Sequence, residues 1–480
     1  PTRRRPLMTR LMWFRTDLRV LDNPALMHSR RDDEEATLAI YFATEKQWQQ
    51  HDLGDRRTNL MKQAACNLRE SLDGLGIPLL ILNKETFKDS SEALLEIMER
   101  FDISELNYNL EYEINERHRD IELGQWCKAN DVQVNKFHDQ CIVPPGDLKT
   151  QNDDPYRVYS PFRKAWLRLK KDYMESPSAA PSQQDMRTIS HDIRDYWAEK
   201  SWTPDYNNDA LWDPSEDAAH EQLKEFLDKD GLQYHEQRDI PELDATSRLS
   251  FYLALGVLSP RQCIYTAWQQ NGCLLSGGET GLDNWINELV WREFYRHLIV
   301  AYPELCKHRA FRPDYENIPW RDSAGDFERW CKGETGYPIV DAAMKQLLDQ
   351  GWMHNRLRMV TAMFLTKHLL IDWHRGEKFF SQHLVDADLA SNNGGWQWSA
   401  STGADGAPYF RIFNPVTQSE RFDEQGHFIA RYLPELNSLS PKARHFPDEK
   451  ARKASGYPEA IVEHKAARQR ALDTFKSMEN

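Results

Sequence analysis

The chain has 480 residues, of which 40% are apolar and 28% charged, so it is not a disordered chain and can bury the cores of two or three domains. A formal net charge of −14 argues against a broadly basic surface that coats nucleic acid, although it leaves room for a local basic groove. The seven cysteines form no CxxC pair and are odd in number, so neither a metal site nor a disulfide framework is indicated. A reducing, cytoplasmic setting fits best.

The start of the chain, PTRRRPLMTRLMWF, lacks the apolar segment of a secretory signal. No apolar run approaches the roughly 20 residues that span a bilayer, and we therefore expect no membrane partner. We interpret Met8 as the natural start, with residues 1–7 as an extension outside the fold.

In the first third of the chain, short apolar runs alternate with amphipathic segments. The amphipathic segments predict helices, and two of them have leucine or methionine at helical spacing, at residues 57–75 and 91–101. The alternation predicts a doubly wound parallel sheet, an α/β domain that we place at residues 8–140. Neither GxGxxG after the first run nor a Walker pattern occurs, so the usual nucleotide sites are not indicated. The apolar runs predict strands at residues 11–14, 36–42, 78–82, 104–110 and 132–137.

Residues 141–214 have a different composition, with PPGD, a short helix predicted around 161–173 and the stretch MESPSAAPSQQDM, which together indicate a long interdomain linker. The remainder, residues 215–480, is helical in pattern, and we predict an all-α domain with irregular loops. Helix ends are marked by Gly231, Pro260, Pro303 and Gly351. The helices are predicted at residues 218–227, 262–269, 282–301, 337–350 and 355–372.

One run in the helical part, Asp386 to Asn414, concentrates acids, amides, glycines and two tryptophans. The succession NNGG at residues 392–395 fits neither the helical period nor the strand period. Because paired glycines allow close backbone approach, we predict a loop against which a large flat ligand lies. The alternative is a glycine-rich turn between helices, with Trp396 and Trp398 filling the core.

Three further motifs have both a functional and a structural interpretation. TSRLS at 246–250 has the donors that a diphosphate needs near a helix start, or it caps the helix. WINELVWREFYRH at 285–297 places acid, indole and base on adjacent helical faces, or it is a surface helix with salt bridges. GWMHNRLRM at 351–359, with Arg292, Arg296 and Arg411, predicts a positive groove for a nucleic-acid strand, the alternative being solvated charge on exposed helices.

Together these motifs resemble the DNA photolyase and cryptochrome family, and within it the bacterial cyclobutane pyrimidine dimer photolyases. The resemblance covers essentially the whole chain from Leu11 onward, and several of its motifs are long and specific. In chain order the motifs are WFRTDLR, TSRLS, LSPRQC, NELVWREFYRH, GYPIVDAAM, WMHNRLRM, DADLASNNGGWQW and YFRIFNP.

The resemblance implies that the helical domain binds FAD in a bent conformation, active as the reduced anionic hydroquinone. It places Asn392 near the flavin N5 atom, where an amide suits reduced flavin. Arg358 and Asp386 are the implied charge pair beside the ring. The other residues implied around FAD are Tyr234, Thr246, Ser247, Arg248, Leu249, Ser250, Trp285, Ala387 and Asp388.

The implied reaction is light-driven repair of ultraviolet-damaged DNA by a carbon–carbon lyase. An electron passes from excited reduced flavin to a flipped-out pyrimidine dimer, the cyclobutane ring splits and the electron returns; flipping is easiest for a lesion that pairs poorly. Glu288 is implied to steady the dimer radical anion. Trp396, Trp373 and Trp320 are the implied electron relay, in order from flavin to surface. The implied DNA and dimer contacts are Arg238, Glu288, Trp291, Arg292, Asn355, Arg356, Met359, Trp398, Arg411 and Gln418.

A second chromophore is implied in the N-terminal domain, where five residues match the methenyltetrahydrofolate antenna site of some bacterial members. A deazaflavin, or no antenna, is the alternative. The matching residues are His51, Asn115, Glu116, Cys306 and Lys307.

The runner-up function is a DASH-like cryptochrome, either a blue-light receptor or a single-strand-specific photolyase. A nucleic-acid-binding structural protein without a cofactor is a third interpretation. Repair of the 6-4 photoproduct is disfavoured, because that activity is associated with a histidine pair where this chain has Asn355 and Met359. We expect a monomer in the cytoplasm, associated with the nucleoid when it is bound to damaged DNA.

Overall fold

The N-terminal part of the molecule is built on one parallel sheet. The structure is a computed structural model that describes residues 9–169 and 174–478, so the expected start at Met8 and the end of the helix predicted to reach residue 173 lie outside the described residues. The strand order is β3-β2-β1-β4-β5, and every pair is parallel, which confirms the predicted doubly wound sheet. The strands are β1 (Thr9–Phe14), β2 (Ala36–Thr44), β3 (Leu79–Lys84), β4 (Ile103–Asn109) and β5 (Gln133–Phe137).

Both faces of the sheet are covered, which explains why its strands are continuous apolar runs in the sequence. All residues of β2 are buried. On β1, Met12 and Phe14 belong to a core that continues into the helical half, whereas Leu11 and Trp13 belong to a second core on the opposite face. Side chains that alternate along β1 therefore pack on one face against the helical half and on the other face against the helices of the N-terminal domain.

The helical part follows from Glu216 to the last described residues and contains each helix that the sequence predicts there. The predicted run 355–372 ends early, because its first part passes into a π-helical turn, Phe364–His368, after which residues 369–372 are not helical. No helix in the described ranges is long and apolar enough to cross a membrane. The helices of the whole chain are α1 (Pro24–Ser29), α2 (Glu45–Gln50), α3 (Asp55–Gly74), α4 (Phe87–Arg100), α5 (Ile114–Ala129), α6 (Tyr159–Leu169), α7 (His191–Lys200), α8 (Glu216–Lys229), α9 (Tyr234–Gln237), α10 (Ser250–Leu255), α11 (Pro260–Gln270), α12 (Thr280–Ala301), α13 (Ala324–Lys332), α14 (Pro338–Gln350), α15 (Asn355–Met363), α16 (Trp373–His383), α17 (Leu389–Ala400), α18 (Pro415–Phe422), α19 (His427–Tyr432), α20 (Pro441–His445), α21 (Glu449–Ser455) and α22 (His464–Ser477).

The segment 141–214, predicted as a linker, packs against both halves over much of its length. On the sheet side, the Trp197 indole donates to the carbonyl of Ala39 at 3.1 Å. On the helical side, the buried carboxylate of Glu293 accepts hydrogen bonds from the backbone of Val143 and from the indole of Trp166. These hydrogen bonds, formed at buried positions, fasten the segment to the sheet and to α12. The exact limits of the domains stay a prediction.

The prediction of a loop at residues 392–395 is wrong, because α17 runs through all four of them. Asp388 caps the helix by accepting from the backbone N–H of Ser391, and Ser401 ends it in the left-handed conformation. The glycines are needed for packing and not for a turn: a Cβ on Gly394 would lie 2.2 Å from the ring of Tyr295 on α12. Tertiary contact thus outweighs the low helix propensity of the paired glycines.

We predict that Gly394→Ala destabilises the protein by about 1–3 kcal/mol, because the added methyl group cannot fit beside Tyr295 unless the two helices separate. Gly395→Ala is the matched control, since a Cβ there meets no atom within 4 Å and alanine favours a helix interior by about 0.5–1 kcal/mol. Urea unfolding of the two variants measures the difference. Equal free energies of unfolding would show that the close approach of α17 to α12 is not needed.

Candidate functional site

A cavity of about 490 Å³ lies among the helices of the C-terminal half. It brings together most of the residues that the sequence predicts around a cofactor and a flipped base. They are Tyr234, Arg238, Thr246, Ser247, Arg248, Leu249, Ser250, Trp285, Glu288, Trp291, Arg292, Asn355, Arg358, Met359, Asp386, Ala387, Asp388, Asn392, Trp396 and Trp398. Chain segments up to about 160 residues apart thus meet in one space of ligand size.

Helix α12 forms one wall because its residues at steps of three and four face the same side. Trp285, Glu288 and Arg292 follow this spacing and line the cavity. Trp291 also lines it, and its indole is stacked on Tyr159 with ring centroids 3.6 Å apart and an interplanar angle of 6°. The stacking holds a flat aromatic surface in a fixed orientation in the cavity wall.

The TSRLS stretch turns sharply at Arg248, which has a positive φ of 52°. No side chain of this stretch caps α10, so the interpretation as a helix cap is not supported. The Ser250 hydroxyl donates to Asp386 at 2.6 Å, and the Arg248 guanidinium lies 4.6 Å from the ring centroid of Trp352. Sequence reasoning missed Trp352, although it stands inside the WMHNRLRM motif.

Asp386 and Arg358 form the predicted charge pair, with Arg358 Nη2 at 2.8 Å from Asp386 Oδ2. The other carboxylate oxygen of Asp386, Oδ1, is buried and has no hydrogen-bond partner among the described residues. Because a buried hydrogen-bond acceptor without a donor is costly, we expect a bound ligand to donate a hydrogen bond to Asp386 Oδ1.

The second acid of this turn, Asp388, neutralises the arginines of α12. Its carboxylate lies 3.0 Å from Arg296, whose side chain is 4% exposed. Burial raises the pKa of Asp388, but Arg296, Arg292 and the hydrogen bonds from Ser391 together hold it below its usual range. Burial lowers the pKa of Arg292 to about 10. Arg296, predicted as part of the positive groove, lines the same cavity, and its charge is paired there with Asp388.

The amide of Asn392 reaches the cavity from α17. Its Nδ2 donates to the backbone carbonyl of Glu377 at 3.0 Å. A carbonyl oxygen accepts only, so the amide orientation is determined and Oδ1 is the end left for a ligand. Asn392 therefore offers the cavity an acceptor.

The three tryptophans of the predicted relay lie in or against one core. Trp396 and Trp373 are buried, and Trp320, expected at the surface, is partly buried with its ring centroid 6.3 Å from that of Phe475. The Trp396 indole N–H has no partner among the described residues. Trp330, which sequence reasoning missed, meets Trp396 edge to face at 6.0 Å. Nothing in the sequence distinguishes it from other core tryptophans.

Two ion pairs involve arginines predicted to contact DNA; of these arginines, Arg238 lines the cavity and Arg356 does not. Arg238 lies 2.7 Å from Glu288, and Arg356 lies 2.8 Å from Asp239. These side chains are only partly buried, so each pair contributes little stability and can be exchanged for a phosphate contact. Arg411 is exposed, whereas Gln418 is half-buried with a buried Oε1 that lacks a described partner.

The predicted antenna residues lie at the boundary between the two halves, and three of them form a cluster. Asn115 Nδ2 and His51 Nε2 are 3.1 Å apart, and Glu116 lies 3.7 Å from the other ring nitrogen of His51. Burial raises the pKa of Glu116 well above its usual value. Cys306 is half-buried, and Lys307 pairs with the exposed Glu304. The first three residues thus form a cluster, whereas Lys307 is turned to solvent.

Comparison with known proteins now identifies the family. Residues 10–182 match the family model described as DNA photolyase, and residues 285–477 match the FAD binding domain of DNA photolyase. The chain is 44% identical over 476 residues to the deoxyribodipyrimidine photo-lyase of Escherichia coli K12, covering 98% of this chain and 99% of that protein. The chain belongs to the DNA photolyase family. The resemblance read from the motifs is therefore confirmed.

Solved structures agree with this assignment over the whole length of the photolyase chain. A class III photolyase from Agrobacterium tumefaciens is similar with a TM-score of 0.83 and 32% identity, covering 100% of this chain and 99% of that one. A cryptochrome from Synechocystis is similar with the same TM-score and 27% identity, covering 98% and 100%. The α/β half and the helical FAD-binding half are thus the arrangement of the family.

The residues of the cavity fit FAD, the cofactor for which the matched domain is named. Backbone and hydroxyl groups at 246–250 and the nearby arginines suit a diphosphate, whereas Asp386 Oδ1 and Asn392 Oδ1 are acceptors that suit the N–H groups of a flavin ring. Apolar and aromatic walls cover the rest. The photolyase cavity therefore has donors and acceptors where such a molecule needs them.

We predict that Asp388→Asn destabilises this photolyase by about 3–5 kcal/mol, because Arg296 and Arg292 are then buried without a carboxylate, while asparagine still caps α17. Ser391→Ala, which keeps the charge, should cost only about 1 kcal/mol. Because the folded-state pKa of Asp388 is lowered, the stabilisation is complete above its unfolded value and is lost as the pH falls through the folded value. Urea unfolding at several pH values tests both statements.

Proposed function

We propose that this photolyase uses light to split cyclobutane pyrimidine dimers in DNA. The name deoxyribodipyrimidine photo-lyase, shared by relatives at 37–44% identity, supports the proposal. The observation that carries it is the continuity of the cavity: residues suited to FAD and residues suited to a flipped base line one space. A dimer in this space would lie directly beside the cofactor.

Bound FAD, in its reduced anionic form, would supply the light-excited electron that splits the dimer and accept it back. The side chains around it would do the binding. Trp291, fixed by Tyr159, and Trp398 would cover the faces of the flipped bases, while Met359 would pack on the dimer. Glu288 and Asn355 would hydrogen-bond the base edges, and Glu288 would first have to release Arg238.

Arginines in the cavity and elsewhere in the helical half would make the DNA contacts. Arg238 and Arg356 would exchange Glu288 and Asp239 for phosphates, and Arg292, Arg411 and Gln418 would add further contacts. Such exchange lets an acidic protein bind DNA locally, because the cost of breaking an exposed ion pair is small.

The accessory chromophore is a separate part of the proposal. We place methenyltetrahydrofolate against His51, Asn115 and Glu116, because a buried carboxyl and an amide can hydrogen-bond the pterin edge. Cys306 and Lys307 would border it from the helical half. We further propose that the protein acts as a cytoplasmic monomer that associates with the nucleoid on damaged DNA.

A light-signalling role is the second candidate, since the Synechocystis neighbour is a cryptochrome. We expect that reduced protein under near-ultraviolet or blue light restores the thymine absorbance of a dimer-containing oligonucleotide, and that the dark control does not. Duplex and single-stranded substrates compared in parallel would reveal a single-strand preference. Absence of light-dependent recovery on both substrates would favour signalling.

We also propose that Trp396, Trp373 and Trp320 pass electrons to oxidised FAD. Trp396→Phe should abolish photoreduction, because phenylalanine is not readily oxidised, yet leave repair by chemically reduced protein unchanged. Trp330→Phe is the matched control, since Trp330 is buried beside Trp396 but stands outside the relay. Flavin absorbance during illumination measures photoreduction. Equal rates for wild type and Trp396→Phe would refute the relay.

A further inference from the structure

Glu377 on α16 orients the Asn392 amide. The backbone carbonyl of Glu377 accepts from Asn392 Nδ2 at 3.0 Å. The side chain of the same residue holds the next amide, because Glu377 Oε1 accepts from Asn393 Nδ2, also at 3.0 Å. Asn393 in turn accepts from Gln397 Nε2 at 3.0 Å. Glu377 thus fixes two consecutive amides of α17.

Glu377 is itself held by a histidine at the surface. Its side chain is 4% exposed, and Oε2 lies 2.9 Å from Nδ1 of His308, whose side chain is 48% exposed. His308 ends the 3-10 segment Pro303–Lys307 in a left-handed conformation with φ of 59°. The pair therefore connects solvent with the hydrogen bonds that orient the cavity amide.

The charge of His308 depends on the groups that face it from several elements. The hydrogen bond that the His308 ring donates to Glu377 raises the pKa of His308, whereas burial lowers it. The negative charge of Glu377 raises this pKa further, His374 lowers it and Asp52 raises it, so that the net shift is upward. Asp52 is paired with Lys378 at 3.1 Å, and His51 also senses the charge of His308. His308 therefore keeps its proton to higher pH than an ordinary histidine and loses it as the pH rises further.

We propose that Glu377 is a positioning residue for Asn392 and that His308 makes this positioning dependent on pH. The proposal rests on the proposed function, since Asn392 matters only beside bound FAD. With His308 charged, the ion pair holds Glu377 and keeps Asn392 Oδ1 aimed at the cavity. An acceptor there stabilises the form of the ligand that presents an N–H, which for a flavin is a reduced form.

The test compares Glu377→Gln and His308→Gln with Lys378→Gln, a matched control that removes one exposed charge beside the pair without touching Glu377 Oε2. The equilibrium constant for reduction of bound FAD should fall by up to about tenfold in the first two variants, because losing the charge-assisted hydrogen bond between His308 and Glu377 loosens the backbone carbonyl that orients Asn392. In wild type and Lys378→Gln, its pH profile should bend at the pKa of His308. The bend should be absent in His308→Gln.

A second measurement is independent of the redox state of FAD. Proton NMR titration of the His308 ring, assigned by its loss in His308→Gln, should give a pKa above the ordinary value in wild type and a lower one in Glu377→Gln. If Glu377→Gln fails to fold, the pH profile of FAD reduction in His308→Gln still tests the proposal, because His308 is half-exposed and its substitution is expected to be tolerated. The proposal would be overturned if the pH profiles of FAD reduction in Glu377→Gln and His308→Gln superimposed on the profile of the wild type.

The two proposals fail in different ways. If wild type does not repair dimers in light, the proposed function is wrong, and the NMR titration still reports whether Glu377 controls His308. If wild type repairs dimers but Glu377→Gln and His308→Gln keep its redox profile, the pair has only a structural role and the positioning proposal is wrong.

Discussion

The close approach of α17 to α12 and α16 is the constraint on which the site depends. Gly394 lets α17 reach the ring of Tyr295, and Gly376 on α16 lets the helix receive Trp396, since a Cβ there would lie 2.1 Å from that indole. At this separation one face of α17 presents Asn392 and Trp396 to the same cavity. A larger residue at either glycine would move the amide, the indole and the cavity wall together.

The cavity contains more arginine side chains than its acids neutralise. Arginines of α12 and α15 are buried or half-buried there, and Asp386 and Asp388 at the start of α17 balance them only in part. Burying such charges is costly unless they are paired, so the excess is best matched by an anionic ligand such as the diphosphate of FAD. The negative net charge of the whole chain therefore says little about this site.

The two halves share one apolar core, and this has a consequence for function. The core that includes Met12 and Phe14 of the sheet also includes Trp285 on α12. Segment 141–214 adds hydrogen bonds to both sides. Residues at the boundary, such as His51 and Glu116, are thus held at a fixed distance from the cavity, as energy transfer from a second chromophore would require.

Periodicity in the sequence determined the parallel sheet and most helices, because strands covered on both faces and amphipathic helices leave direct patterns. The family motifs determined which residues line the cavity. Only the tertiary structure decided that residues 392–395 are helical, that Arg296 pairs inward with Asp388 and that Glu377 orients Asn392. These three results come from contacts between segments distant in sequence, and local propensity contains no information about the neighbour that a folded chain brings into contact.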